Sequence, residues 1–205
     1  MPQSFDAPKR HSLSANAWID LWPGLLADKA TSLEQSLSAE IEWQQERYQM
    51  FGREVVAPRR IAWHGDADAT YSYSGLAHTP LPWTPSLRRL RELLQEVTGL
   101  RFNSVLANLY RSGADSMGWH ADNEREVGPS PSDRHIASLS FGASRRFLLR
   151  HEAERTKHEF QLSTGDLLVM RGSTQSEFKH SVPKTAKTIG PRINLTFREI
   201  RAAAR

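Results

Sequence analysis

The stretch "RINLTFREI", Arg192–Ile200, alternates polar and apolar side chains in the way that is typical of a β-strand. Two forked cations with an amide and a hydroxyl between them are suited to binding a small dianion. The alternative is an edge strand whose polar face is solvated. The polar face carries Arg192, Asn194, Thr196 and Arg198, and the apolar face carries Ile193, Leu195 and Phe197.

Six further short strands are predicted between Gly99 and this stretch, separated by turns rich in Gly, Ser, Pro and Asp. Many closely spaced strands without helices between them predict a β-sandwich or a jelly roll. The segments read NSVLANLYR, HIASLSFG, RRFLLRH, HEFQLS, DLLVMRG and EFKHSVP.

A first helix is predicted where Ser32 and Gln35 have the spacing of a capping box, followed by Leu37 and Ile41 on one face. The polar residues 1–15 before it are predicted to be a disordered tail. The remaining residues 16–205 are enough for one domain with one sizeable core.

A second helix has clearer boundaries. Thr84 is expected as its N-cap, Pro85 as its first residue and Gly99 as the glycine that ends it. Its apolar face is formed by Leu87, Leu90, Leu94 and Val97. The predicted fold class is therefore α+β and mainly β, with helices of the N-terminal part packed against a C-terminal β structure.

The composition excludes several classes of site. The chain has no Cys, which excludes disulfides, thiolate metal sites and a Cys nucleophile. The net charge is only +4, but 21 of the 27 cationic residues are Arg, which indicates anionic partners unless genome composition inflates Arg. No apolar stretch reaches the length of a signal peptide core or of a membrane span, so we expect a soluble cytoplasmic protein without membrane contact.

The segment "GWHADNE" places His120 and Asp122 two residues apart, on the same side of an extended backbone. Two His and one carboxylate form the facial arrangement of non-heme Fe(II) oxygenases, which leaves positions for a chelating co-substrate and dioxygen. His180 is the best candidate for the third ligand because it lies between this pair and the Arg192–Ile200 strand. The other candidates are His11, His64, His78, His135, His151 and His158.

The strand "VLANLY" adds a second polar pair, because Asn108 and Tyr110 share one face with Leu106. With "GWHADNE", His180 and "RINLTFR", the chain closely resembles the AlkB family of Fe(II)/2-oxoglutarate dioxygenases from about Phe51 onward. The stretches "QMFGR", "PRR", "TYSYSG" and "HADNE" resemble those of AlkB homologues that repair alkylated bases in double-stranded DNA.

The resemblance implies a double-stranded β-helix (jelly roll) core over about 100–200 and a nucleotide-recognition segment over about 45–80. It implies that His120, Asp122 and His180 bind Fe(II). It also implies that Arg192 binds the distal carboxylate of 2-oxoglutarate and that Arg198 lies nearer the metal. The full co-substrate set would be Asn108, Tyr110, Arg192, Asn194, Thr196 and Arg198.

The implied activity is oxidative demethylation of N-alkylated bases such as 1-methyladenine and 3-methylcytosine in DNA, using O2 and releasing formaldehyde, succinate and CO2. A base in a duplex must be flipped out to reach such a site. Met50 and Phe51 resemble an apolar wedge that fills the resulting gap. The implied substrate residues are Phe51, Gly52, Arg53, Arg59, Tyr71, Ser72, Tyr73, Asn123 and Glu124.

One departure from the family pattern concerns the substrate. Asn123 follows the iron-binding Asp where relatives acting on duplexes have an acid, and an amide both donates and accepts hydrogen bonds. The alternatives are a dealkylase of RNA or of another methylated substrate, and a non-catalytic jelly roll that binds nucleic acid. We expect a monomer that binds alkylated DNA, preferably double-stranded. Whether Trp63 and His64 contact the substrate stays open.

We expect Phe51→Ala to reduce repair of duplex DNA far more than repair of single strands, because only a duplex has a gap to fill. Initial rates on one methylated oligonucleotide, single-stranded and annealed, measure this. An equal loss on both forms would contradict the wedge role.

Overall fold

The computed structural model describes residues 5–50, 52–69, 71–73, 76–122 and 134–201, with the backbone alone for 48–50, 71–73 and 76–78. Its helices are a 3-10 turn Ala27–Lys29, α1 (Ala30–Glu40), α2 (Pro85–Thr98) and α3 (Thr174–Glu177). Its strands are β1 (Lys9–Ser12), β2 (Ala17–Trp22), β3 (Arg47–Met50), β4 (Arg53–Val56), β5 (Arg60–Gly65), β6 (Tyr71–Tyr73), β7 (Leu76–His78), β8 (Ser104–Tyr110), β9 (Met117–His120), β10 (Ile136–Gly142), β11 (Arg145–His151), β12 (Lys157–Leu162), β13 (Leu167–Gly172), β14 (Phe178–Val182) and β15 (Arg192–Arg198).

Two antiparallel sheets form the core. The larger sheet has the order β1-β2-β13-β10-β15-β8-β5, and the smaller has the order β12-β11-β14-β9. The inner faces pack together through a buried cluster that includes Tyr110, Phe147, Leu149 and Met170. This arrangement is a jelly roll, as the sequence predicts.

The helices cover the outer face of the larger sheet. Leu87, Leu90 and Leu94 of α2 are buried in one cluster with Leu195 and Phe197 of β15. Both faces of β15 are therefore covered, one by helices and one by the smaller sheet. The polar face that the sequence singles out lies inside the jelly roll, and β15 is a central strand between β10 and β8, not an edge strand.

The seven strands predicted after Gly99 are all present, and β9 is an additional strand between the first two. The limits of α2 are also confirmed: the Thr84 side chain accepts a hydrogen bond from the Leu87 N–H, and Gly99 ends the helix with φ of +69°. None of the described helices is both long and apolar enough to cross a membrane.

The predicted start of the first helix is wrong. The α1 helix begins at Ala30, so Ser32 lies inside it and its hydroxyl donates to the Lys29 carbonyl instead of capping. A Ser near a helix start can bond back to the preceding turn, and the spacing to Gln35 does not distinguish the two arrangements.

The prediction of a disordered tail over 1–15 is wrong for Lys9–Ser12, which pairs with β2 as the edge of the larger sheet. Arg10 is exposed, but its guanidinium binds the buried carboxylate of Asp20 with two hydrogen bonds. Arg171 lies 3.2 Å from the same carboxylate. Pairing with the neighbouring strand β2, which β13 holds in the larger sheet, orders a segment that has no local signal of its own.

Two hairpins lie between α1 and α2. In the first, Met50 pairs with Arg53, and Gly52 has φ of +73°, the left-handed conformation of a tight hairpin turn. In the second, Tyr71 pairs with His78 and Tyr73 with Leu76.

We expect Thr84→Ala to lower the free energy of unfolding by about 1 kcal/mol, because the Leu87 N–H loses its side-chain acceptor. Denaturant unfolding measures the change. Thr156→Ala removes an exposed hydroxyl and serves as the control. Equal stability of the two variants would contradict the capping role.

Candidate active site

Three side chains converge between the sheets at the junction of β9 and β14. His120 pairs with His180 across these strands, and their ring centroids are 4.2 Å apart. The carboxylate of Asp122 lies 3.7 Å from His180 Nε2 and 4.0 Å from His120 Nε2. One ligand atom of each residue lies within 4.8 Å of the others, close enough to converge on one metal ion. The predicted third ligand, His180, is therefore brought to the pair.

The protonation of the three groups suits metal binding. Burial lowers the pKa of His180 to about 3, so its imidazole is neutral at neutral pH. The Gly118 carbonyl accepts a hydrogen bond from Nδ1 of His120, which leaves Nε2 free to bind a metal. Burial alone would raise the pKa of Asp122, but the charge and the hydrogen bond of Arg198 lower it below its usual value.

A cavity of about 290 Å³ opens beside the three ligands. Its polar wall comes from β8, β10 and β15, and part of its apolar wall comes from β11 and β13. The polar residues lining it, besides the triad, are Arg59, Asn108, Tyr110, Ser138, Asn194, Thr196 and Arg198. The apolar residues are Leu106, Met117, Ala121, Phe147, Met170 and Val182.

The register of β8 against β15 places the two asparagines side by side, because Asn108 is directly opposite Asn194. Asn194 donates to the hydroxyl of Ser138 at 2.9 Å. Asn108 accepts from Nε of Arg59 at 2.8 Å. Both amides are buried and fixed by neighbours, which gives the cavity wall a rigid polar surface.

The two arginines of β15 have different surroundings. Arg198 donates to the Asp122 carboxylate at 3.0 Å, so it lies at the metal end of the cavity. Arg192 is fully buried, donates to Ser140, and has its guanidinium carbon 5.4 Å from the centroid of the Tyr110 ring. Burial lowers the pKa of Arg192 to about 10, which still leaves it charged at neutral pH.

Arg192 itself does not line the cavity, but it contacts Tyr110, which does line it. Its Nε and Nη1 atoms have no hydrogen-bond partner among the described residues, and neither has Nε of Arg198. Leaving a buried hydrogen-bond donor without an acceptor costs free energy. A ligand with carboxylate groups that accept from Arg192 and Arg198 therefore fits the site. The donor set, two imidazoles and a carboxylate without thiolate, fits Fe(II).

Comparison with known proteins agrees with this geometry. Residues 21–198 match the 2OG-Fe(II) oxygenase superfamily. The chain belongs to that superfamily and, within it, to the AlkB family. Fe(II), 2-oxoglutarate and O2 are therefore the cofactor and co-substrates of this AlkB-family chain.

Several relatives have names that state an activity. The chain is 44% identical over 162 residues to DNA oxidative demethylase ALKBH2 of Mus musculus, covering 75% of this chain and 66% of the relative. It is 42% identical over 183 residues to the Homo sapiens ALKBH2, covering 84% and 69%. It is 39% identical over 195 residues to alpha-ketoglutarate-dependent dioxygenase alkB homolog 3 of Homo sapiens, covering 89% and 66%.

The chain thus spans about two thirds of the length of these relatives. A solved structure of OsALKBH1 superposes with a TM-score of 0.58 at 21% identity, covering 88% of this chain and 97% of that one. This likeness concerns the fold.

The sequence-predicted substrate residues are only partly described. Gly52 and Arg53 are exposed in the β3–β4 hairpin, and Arg59 lies on the cavity wall beside Asn108. The backbone of Tyr71, Ser72 and Tyr73 is a strand. Phe51, Asn123 and Glu124 lie outside the described residues.

His64 and Trp63 do not line the cavity. His64 is buried, and its Nδ1 lies 2.6 Å from the carbonyl oxygen of Pro82, just before α2.

Four residues near the site carry no signal in the sequence. Ser138 and Ser140 of β10 bind the side chains of β15. Arg145 is buried, donates to the carbonyls of Ser112, Asp115 and Pro183, and lies 5.5 Å from the Tyr110 ring centroid. The fourth, Gln175, contacts the backbone of Asp122.

We expect Arg192→Met to weaken 2-oxoglutarate binding by about 10-fold or more, because a charged hydrogen-bond donor is lost while the buried volume is nearly kept. Titration of 2-oxoglutarate into the Mn(II)-loaded protein measures the affinity. Arg146→Met removes an exposed arginine and should leave the affinity unchanged. A wild-type affinity in Arg192→Met would assign this cation a purely structural role.

Proposed function

We propose that the protein is an oxidative dealkylase that repairs N-alkylated bases such as 1-methyladenine and 3-methylcytosine in DNA. The observation that carries the proposal is the convergence of His120, Asp122 and His180 on one cavity, which is also lined by Asn194, Thr196 and Arg198 of β15. The DNA substrate is supported by the likeness to proteins named DNA oxidative demethylase.

In this proposal the triad holds Fe(II), and the polar faces of β8 and β15 hold 2-oxoglutarate. Arg192 takes the distal carboxylate, and Arg198 lies at the metal end, where its bond to Asp122 supports this position. The hydrogen-bonded amides of Asn108 and Asn194 orient the co-substrate between them. The proposed set is Asn108, Tyr110, Arg192, Asn194, Thr196 and Arg198.

Fe(II) with 2-oxoglutarate and O2 supplies the oxidation of the N-methyl C–H bond, and the hydroxymethyl product releases formaldehyde while succinate and CO2 are formed. The contribution of the chain is to hold the reactants in register and to keep the site dry. Phe147, Met170 and Val182 line the apolar side of the cavity. The neutral His180 and the low-pKa carboxylate of Asp122 remain metal ligands without binding protons at neutral pH.

We further propose that double-stranded DNA is preferred over single strands. The β3–β4 hairpin ends in a tight turn at Gly52, and a Cβ atom at this position would meet no atom within 4 Å. A projecting hairpin tip with an apolar and a basic residue beside it suits insertion into a duplex. The proposed substrate residues are Phe51, Gly52, Arg53, Arg59, Tyr71, Ser72, Tyr73, Asn123 and Glu124.

The proposal includes a single domain over 16–205, in which about 45–80 recognise the nucleotide. It also includes a monomer that acts on DNA in the cytoplasm. The side chains that would hold Fe(II) and 2-oxoglutarate all come from this one chain.

The deciding experiment is mass spectrometry of an oligonucleotide that carries one 3-methylcytosine, single-stranded and annealed. The protein is supplied with Fe(II), 2-oxoglutarate and ascorbate in air, and controls omit iron or 2-oxoglutarate. We expect loss of one methylene mass in the complete mixture alone, with a higher rate on the duplex.

Two variants and one further substrate sharpen this test. Asp122→Asn should abolish the reaction, whereas Asp28→Asn, at an exposed carboxylate, should leave it unchanged. Succinate without loss of mass on either DNA form would contradict the substrate, and a methylated RNA oligonucleotide then tests the rival dealkylase. If the complete mixture produced no succinate and the oligonucleotide lost no mass, the result would contradict catalysis itself.

A further inference from the structure

A buried glutamine contacts the backbone of the carboxylate ligand. Gln175 lies in the short helix α3 and is 1% exposed. Its Oε1 accepts a hydrogen bond from the N–H of Asp122 at 2.9 Å, and its Nε2 lies 3.0 Å from Sδ of Met170. Gln175 does not line the cavity itself, but it contacts two residues that do, Asp122 and Met170.

The orientation of this amide follows from its neighbours. A backbone N–H only donates, so the oxygen of Gln175 must face Asp122 and its NH2 group must face Met170. A thioether sulfur is a weak acceptor, and the opposite orientation would set two donors against each other. The contact to Asp122 therefore determines how the side chain lies.

Asp122 needs this partner because the strand that leads to it has already ended. The β9 strand stops at His120, whose partner across the ladder is His180. Asp122 is 6% exposed, so its N–H would otherwise be a buried donor without an acceptor. Arg198 holds the carboxylate and Gln175 holds the backbone, so the two contacts fix different parts of one ligand.

The helix that carries Gln175 is itself tied at several points. Glu177 accepts hydrogen bonds from Ser173 and from Ser14, which lies just before β2. Thr174 donates to the carbonyl of Arg171 in β13. These bonds connect the position of Gln175 to the larger sheet, which is where the co-substrate wall is formed.

We propose that Gln175 is a positioning residue that fixes Asp122 for metal binding. It holds the backbone of Asp122 in the position from which the carboxylate lies close to the two imidazoles. Groups that orient a metal ligand commonly affect metal affinity without touching the metal. This inference rests on the metal site of the proposed function, and it does not depend on which base is the substrate.

The test compares Mn(II) binding by wild-type protein, Gln175→Met and Ser176→Ala, measured by electron paramagnetic resonance without co-substrate. Methionine keeps the length of the side chain and removes the acceptor, so we expect affinity to fall about 10-fold to 100-fold. Ser176→Ala removes an exposed hydroxyl of the same helix, which donates to the Ser173 carbonyl, and should retain the wild-type affinity. Thermal unfolding of each protein records the loss of stability separately.

Wild-type affinity in Gln175→Met would overturn the inference, and so would an equal loss of affinity in Ser176→Ala. If wild-type protein binds no Mn(II), the result contradicts the assignment of a metal site. Both this inference and the proposed reaction would then be overturned. Weakened binding in Gln175→Met alone, together with no demethylation by the wild type, would support Gln175 and overturn the proposed substrate only.

Discussion

A strand buried on both faces has no side turned to water, and β15 is in this position at the centre of the molecule. Its apolar residues must match the helices on one side, and its polar residues must find partners on the other. Leu195 and Phe197 pack against α2, while Asn194 and Arg198 are hydrogen-bonded within the jelly roll. The hydrophobic core and the reaction site are therefore two sides of one backbone.

Burying several guanidinium groups requires compensation, and each arginine near the site obtains it differently. Arg198 is paired with the carboxylate of Asp122, whereas Arg145 is surrounded by backbone carbonyls. Among the described residues, Arg192 is compensated by the hydroxyl of Ser140 and by Tyr110, which contributes a hydrogen bond and the face of its ring. Since a buried cation is costly without an anion, the least compensated arginine marks where a carboxylate is needed.

Features that depend on local chemistry could be predicted from the sequence. The strand β15 follows from the alternation of polar and apolar residues, and the ends of α2 follow from the residues that cap a helix. His180 was predicted as the third ligand from its position between the metal pair and β15. Features that depend on partners elsewhere in the fold could not be predicted. The β1 strand is ordered by β2, which pairs in turn with β13. Gln175 stands in a stretch that reads as a polar turn, and its partner Asp122 is 53 residues away. The spacing of Ser32 and Gln35 is compatible with a capping box and with a Ser inside the first turn that bonds back to the preceding carbonyl. The structure adopts the second arrangement.

The shared strand also links binding to folding. In the proposed function, 2-oxoglutarate neutralises Arg192 and fills the cavity of the native state alone. Such a ligand raises the free energy of unfolding in proportion to the logarithm of its concentration once it is in excess of its dissociation constant. Bound 2-oxoglutarate would then stabilise the folded protein as a buried side chain does, but it could dissociate. The lifetime of this chain in a cell would follow the supply of 2-oxoglutarate, and starvation for it would leave the less stable form exposed to proteolysis.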